Sequence, residues 1–263
     1  MATVRQIHGG WASFTFLVDG RDGGHILRFA RTAEVAAAHR REAALLPLLA
    51  RSVSFAVPVP SFFRDWGGHT CMCYPLIAGR SLTVADGWPA LAGVLRELHG
   101  FPVDAARGAL GQDGSVTQWL AYYQRLWTDI AREVLPVLDT ALGSLLERAY
   151  RRFLDGDWDF TPVLVHRDLA PEHILVDDDG RVVGLIDFED ATVGDPAIDF
   201  AGLLGILGPA RVETLIADYG LPISRDRLRC YWWLVPVHEL RHGLATGDRA
   251  IVDTAIAELR QRI

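Results

Sequence analysis

Residues Val163 to Asp199 read VLVHRDLAPEHILVDDDGRVVGLIDFEDATVGDPAID. The run holds His166-Arg167-Asp168, a polar His173 five residues beyond that Asp, and Asp187-Phe188-Glu189, spread over apolar strand-like stretches and turns. Moving a phosphoryl group off a nucleotide needs one carboxylate to orient the acceptor hydroxyl. It also needs a second carboxylate and a neutral ligand to hold magnesium. Those three residue types occur here in the order that chemistry uses them.

Asp168 follows the apolar run Val163–Val165 and precedes a Pro-containing turn, which places its carboxylate at a loop tip facing a cleft. Its expected role is to accept or orient the proton of the attacking hydroxyl. A turn Asp bonded to its own backbone is the plainer alternative, and the surrounding motif weighs against it. His173 stands where kinase-type loops usually carry a magnesium-binding Asn. An imidazole nitrogen can donate a lone pair there, although magnesium prefers oxygen; the competing role is a histidine that only orients Asp168 or Asp187. Asp187 leaves the apolar run Val183–Ile186, and a carboxylate at the exit of a buried strand can bridge a metal to the β- and γ-phosphates. With Glu189 and Asp190 beside it, the spot would repel itself without a cation.

A triphosphate also calls for positive charge. The chain has 26 Arg and no Lys, so the role that kinases give to a strand Lys paired with a helix Glu falls here to Arg. Arg28 in Ile26-Leu27-Arg28-Phe29 has the strand context, and Glu42 on the following helical stretch is its expected partner. A guanidinium is permanently charged and forked, so it can hold phosphate and carboxylate together. Gly9-Gly10 ahead of the first strand could cover phosphates with backbone N–H groups, a weak signal by itself. Asp195 and Asp199 suit a helix start with Pro in its first turn, Asp195 as a cap and Asp199 as a brace for the catalytic loop.

Of 263 residues, 50% are hydrophobic and 22% charged, ordinary values for a globular chain able to bury a sizeable core. A net charge of -7 argues against nucleic acid or an anionic membrane as partner and accommodates a cationic one. Cys71, Cys73 and Cys230 make neither a disulfide nor a zinc framework. Met1–Val18 lacks the apolar core and cleavage site of a leader, and no run approaches the roughly 18 apolar residues that cross a bilayer. A cytoplasmic monomer or weak dimer is the resulting expectation.

Hydrophobic spacing predicts strands over Ala12–Val18 and His25–Phe29 joined by a turn-rich loop, then a helix from Thr32 to Arg51 with Thr32 as its cap. Val57-Pro-Val-Pro60 ends that segment, and Ser61–Arg64 and His69–Leu76 read as two more strands. Beyond Ser81 the pattern is helical over Pro89–Leu98, Val116–Tyr150 and from Asp195 onward. Short apolar runs at Val163–Val165, Ile174–Val176 and Val182–Ile186 interrupt it. The plan is α+β and two-lobed, a sheet-plus-helix lobe over residues 1–76 and a larger, mainly helical lobe over 77–263.

On these residues the chain resembles the aminoglycoside phosphotransferase family, antibiotic and small-molecule kinases with the protein-kinase fold. The likeness covers nearly the whole chain. It rests on Arg28 in ILRFAR, Glu42 in REAALLPLLA, Val57-Pro-Val-Pro60, Tyr74-Pro-Leu-Ile-Ala-Gly79, LRELHGF at Leu95–Phe101, the His166–Asp177 loop and Asp187-Phe-Glu-Asp190. Tyr231–Gly243, followed by Thr246-Gly247-Asp248, completes it. The resemblance implies that Asp168 is the catalytic base, that His173 and Asp187 ligate magnesium, and that ATP or GTP is the donor. It also implies a hinge at Tyr74, Leu76 and Ile77 whose backbone reads the purine, with Ile186 in the nucleotide site. His173, where most members have Asn, is similar to the 2''-aminoglycoside and macrolide phosphotransferases; Arg28 departs from the family's Lys.

The family's acceptor pocket is built by the helical lobe. Polycationic aminoglycosides need clustered carboxylates, for which Glu189, Asp190, Glu239 and Asp248 are the candidates. A macrolide needs a largely apolar wall, for which Trp232 and Trp233 are available. The first expectation is therefore a cationic, aminoglycoside-type antibiotic as hydroxyl acceptor, with resistance as the outcome. A macrolide or small metabolite in the same fold comes second, and a non-catalytic nucleotide-binding pseudoenzyme third.

Overall fold

The computed structural model describes residues 3–7, 12–20 and 23–263, so the Gly9-Gly10 run and the tip of the first hairpin lie outside the described residues. Strands β1 (Thr3–Ile7), β2 (Ser13–Gly20), β3 (Gly23–Ala30), β4 (Phe62–Asp65) and β5 (Thr70–Pro75) form an antiparallel sheet in the order β1-β2-β3-β5-β4. Alternation along β3 buries Ile26 and Arg28 on one face and leaves Leu27 and Phe29 half-buried on the other, as the two-residue period of a strand requires. Helix α1 (Ala33–Leu49) crosses the buried face; Thr32 caps it, its hydroxyl accepting the Val35 N–H at 3.3 Å. The expected strands and helix are present. β1 adds an edge strand that hydrophobic spacing did not foretell, because all five of its residues are exposed.

After β6 (Arg80–Ser81) the chain turns helical: α2 (Leu91–His99), α3 (Val103–Leu110), α4 (Val116–Glu133) and α5 (Thr140–Leu154). The single stretch expected over Val116–Tyr150 is two helices, broken by a 3-10 turn at Leu135–Val137 that contains Pro136. Proline removes a helical N–H and clashes with the preceding turn. Asp139 restarts the helix by accepting the Ala141 and Leu142 N–H groups at 3.0 Å.

Four short strands then carry the motif segment: β7 (Val163–Val165), β8 (Ile174–Val176), β9 (Val182–Leu185) and β10 (Thr192–Gly194). They pair as β10-β7 and as β6-β8-β9. Helices α6 (Ala197–Tyr219), α7 (Arg225–Thr246) and α8 (Arg249–Arg262) close the lobe. α6 is long and apolar enough to cross a membrane by length and composition, which corrects the expectation that no segment would be. Here it serves as a core helix: Asp199, Phe200 and Leu203 are fully buried, and non-helical geometry at Gly208 kinks it ahead of Pro209.

One buried cluster runs through both lobes. Leu45, Leu46 and Leu49 of α1 belong to it together with Leu95 and Leu98 of α2, all at 0% exposure. Burial of a leucine side chain contributes roughly 1.5–3 kcal/mol. The α1 end is thereby fixed against the helical lobe, and the cleft between lobes has a rigid back.

Candidate active site

Strand β7 delivers the chain into the loop that carries Asp168, and α6 holds that loop from beneath. Asp199, fully buried in the first turn of α6, accepts the backbone N–H groups of His166 at 2.9 Å and Arg167 at 2.7 Å. Its third contact, 3.0 Å to His99 Nε2, joins α2 to the same point. Asp199 thus ties together the His166-Arg167 backbone and two helices. Arg167 itself is left-handed (φ 71), as is Asp187 (φ 66); these are the only non-glycine residues with positive φ among the described residues. Such a backbone costs a side-chain-bearing residue of order 1–2 kcal/mol, and both residues line the cleft.

His173 stands between the two catalytic-type carboxylates. Its Nδ1 lies 2.7 Å from the Asp168 carbonyl oxygen and 3.5 Å from Asp168 Oδ2, while its Nε2 lies 3.6 Å from Asp187 Oδ2. A carbonyl oxygen can only accept, so Nδ1 carries the proton. In the neutral ring Nε2 then presents its lone pair to a carboxylate. Two such donors face each other comfortably only with a cation between them. Nε2 and the Asp187 carboxylate therefore fit a divalent ion, although an imidazole is an unusual magnesium ligand.

The two carboxylates differ electrostatically. Both are open to the cleft, with 54% and 41% of the Asp168 and Asp187 side-chain surfaces accessible, yet the cleft walls still desolvate them. For Asp168 that desolvation raises the carboxyl above its ordinary value, with His173 and His166 opposing it. For Asp187 burial also pushes upward, but Arg28, His173 and His166 outweigh it and hold the group below the ordinary range. Asp187 is the firmer anion and Asp168 the better proton acceptor, the division of labour that a ligand and a base need.

Arg28 and Glu42 meet as expected. Arg28 Nη1 donates to both Glu42 oxygens at 3.2 and 3.3 Å, and Nη2 reaches Asp187 at 3.3 Å and Glu189 at 2.5 Å. Burial works against the guanidinium charge, but Glu42, Asp187 and Glu189 more than offset it. Burial likewise pushes Glu42 and Glu189 up to about 7, against the opposing pull of Arg28. His39, which the sequence did not single out, lies beside them and bonds Ser13 Oγ at 3.0 Å and Thr70 Oγ1 at 2.7 Å. His39, Glu42 and Glu189 offer ligand atoms within 4.8 Å of one another. Both His39 nitrogens are engaged and Arg28 binds both carboxylates, so the cation in that cluster is the guanidinium.

Arg28, Asp168, His173, Asp187 and Glu189 line one cleft of about 1160 Å³, whereas Glu42 and His39 lie buried behind its wall. Tyr74, Leu76, Ile77 and Ile186 line one end beside Ile26 and Leu175. Pro75 has no N–H, and the Leu76 N–H donates to the Gly24 carbonyl at 2.8 Å. Towards the helical lobe the cleft is lined by Asp190, Glu239, Tyr122 and Trp232. The four expected acceptor carboxylates separate. Glu189 is engaged by Arg28, and Asp190 faces Arg167 Nη1 at 3.9 Å. Asp248 lies outside the cleft lining as the exposed N-cap of α8, accepting from Ala250 and Ile251. Glu239 remains in the wall. Trp233 is buried in the core, and Trp232 is the member of that pair lining the cleft. Tyr122 and Arg167 also line the cleft there, which the sequence did not indicate; the Arg167 guanidinium lies 4.5 Å over the Tyr122 ring, a pairing between distant segments that local spacing does not reveal.

The model of the phosphotransferase enzyme family matches residues 3–233. An uncharacterized Bacillus subtilis protein, YcbJ, is 30% identical over 216 residues, covering 74% of this chain and 67% of that one. Among solved structures, the GDP and kanamycin complex of APH(2")-IIIa superposes with a TM-score of 0.87 at 25% identity, over 99% of this chain and 92% of its own. The apoenzyme of the macrolide 2'-phosphotransferase MphH from Brachybacterium faecium is similar at a TM-score of 0.75 and 26% identity, over 98% and 92%.

Proposed function

The chain belongs to the phosphotransferase enzyme family, and from that premise we propose that it transfers the γ-phosphoryl group of ATP or GTP to a hydroxyl of a small amine-bearing molecule in the cytoplasm. The single observation that carries the reading is the convergence of Asp168, His173 and Asp187 in one cleft, with Arg28, held by Glu42, in contact with Asp187. Residues 1–76 form the nucleotide-binding lobe, and 77–263 form the helical lobe with the catalytic loop and the acceptor site. Both an aminoglycoside and a macrolide stand behind the amine-bearing class, since a kanamycin complex and a macrolide kinase are among the similar structures.

In this mechanism Asp168 accepts a hydrogen bond from the acceptor hydroxyl and sets its oxygen in line with the γ-phosphorus. The new P–O bond forms as the bond to the β,γ-bridging oxygen breaks. The hydroxyl proton passes to Asp168 and then to solvent, leaving a phosphate monoester and a nucleoside diphosphate. Arg28 reaches the phosphates once Glu189 releases it, and Glu42 keeps the guanidinium in place. His173 and Asp187 would hold magnesium, which supplies positive charge to the β- and γ-phosphate oxygens. Ile77, next along the hinge after Leu76 and Pro75, offers the N–H for the purine edge. Nucleotide consumption in the presence of magnesium, measured with and without amine-bearing alcohols, tests the reading. Tight nucleotide binding with no phosphate transfer to any alcohol would mark a pseudoenzyme instead.

A further inference from the structure

The Nη hydrogens of Arg28 are all committed. A guanidinium carries two on each Nη. Nη1 gives its pair to the two oxygens of Glu42, and Nη2 divides its pair between Asp187 and Glu189. Carboxylate oxygens thus fill the fork that a phosphate would use.

The three carboxylates are not equivalent. Glu42 is 1% exposed, lies behind the cleft wall and receives Arg28 on both oxygens, the place of a permanent support. Asp187 also stands 3.6 Å from His173 Nε2, where magnesium would offset its charge. Glu189 lines the cleft itself. Among the described residues its side chain bonds Arg28 alone, at 2.5 Å, the shortest of the four contacts. It stands on the 3-10 turn Phe188–Asp190, whose Phe188 is 2% exposed and packed in the core. The turn is held by that ring, so the Glu189 side chain is the part free to swing.

Charge accounting separates Glu189 further. One guanidinium meets three carboxylates. Arg28 balances Glu42, and the metal that Asp187 would hold balances Asp187. The charge on Glu189 is surplus once a polyphosphate arrives at Arg28, and like charges at contact range in a partly desolvated site repel strongly.

We propose that Glu189 is an internal competitor for the donor's phosphates. In the unliganded protein its carboxylate stands in for a phosphate oxygen on Arg28, and nucleotide binds by displacing it into the cleft. Glu189 thereby sets the affinity for the donor and retakes Arg28 as the product diphosphate leaves. This rests on the kinase reading above, in which Arg28 meets the phosphates. A Glu189 that merely steadied Arg28 for the nucleotide would have the opposite effect, since its removal would weaken binding.

Calorimetry on the full chain with magnesium compares wild type, Glu189→Gln and Glu189→Ala. The ligands are ADP, GDP, non-hydrolysable analogues of ATP and GTP, and the phosphate-free adenosine and guanosine. Both variants should bind the phosphorylated ligands about tenfold or more tightly than wild type, with nucleoside affinity unchanged. Unchanged or weaker nucleotide binding overturns the proposal, as does an equal gain for the nucleosides, which bring no phosphate to compete. Failure of both variants to fold would make Glu189 a structural support and overturns it too. Any of these results beside intact phosphate transfer by the wild type leaves the kinase reading standing. Nucleotide binding by the variants without transfer by any form upholds the competitor and removes the kinase reading. Absence of nucleotide binding in all three proteins overturns both.

Discussion

At Asp168 the charge environment and the chemistry point the same way. Replacing it by Asn keeps the shape and removes the proton acceptor, so kcat should fall by about 10²- to 10⁴-fold while nucleotide affinity by calorimetry is unchanged. Near-normal turnover would remove Asp168 from its role. Only the ionised form serves, and burial raises its pKa; kcat/KM should therefore drop on acidification above the ordinary aspartate value, and a profile flat to about pH 4 would contradict this. Glu42 and Glu189 set a second pH dependence, in stability. Both are raised from 4.5 to about 7, so between those values the folded chain binds protons that the unfolded chain has lost. Their contribution is complete below the lower value and is lost as pH rises through the upper one. The unliganded protein should melt higher near about pH 6 than near about pH 8, and Glu42→Gln should flatten that slope. The order of Asp168, His173 and Asp187 was legible in the sequence because loop chemistry is local. The Arg28–Glu189 contact joins residues 161 positions apart, and no spacing rule reaches that far.

Among the elements, α6 does most to place the loop that carries Asp168. A Cβ on Gly202 would lie 2.4 Å from the Leu169 carbonyl oxygen, so this helix approaches the loop backbone more closely than any side chain permits. Gly202→Ala should push the loop outward. The expected cost is about 1–3 kcal/mol of stability, with a larger proportional loss in kcat than in nucleotide affinity. An unaltered melting temperature and kcat would show that the contact is slack. The helices with strong hydrophobic periodicity, α2, α4 and α5, were readable, and α1 was readable from its Ala, Leu, Glu and Arg composition behind the Thr32 cap. β1 was not, because TVRQI at an exposed sheet edge has no buried face to pattern. Nor was α3 (Val103–Leu110), whose short VDAARGAL run buries only Ala106 and Leu110. Pro136 was visible in the sequence, but the α4 and α5 patterns on either side of it read as one.

In the whole molecule the two lobes share a core, since Leu45, Leu46 and Leu49 of α1 pack in the same cluster as Leu95 and Leu98. The boundary expected near residue 76 is thus a change of architecture, with no break in the packing. Calorimetry should give a single cooperative unfolding transition; two resolved transitions would mean the lobes unfold independently. Magnesium-nucleotide at 100 times its Kd should add about 2.7 kcal/mol, a rise of roughly 5–10 °C in Tm for a chain of this size. The replacement of lysine by Arg28, in a chain whose side chains include no primary amine at all, reaches beyond the cleft. Nucleotide reagents that find kinases by acylating the strand amine have nothing here to modify. A proteome-wide survey that relies on such labelling would pass over this member of the phosphotransferase family, and guanidine-directed or photoreactive chemistry would be needed to count it.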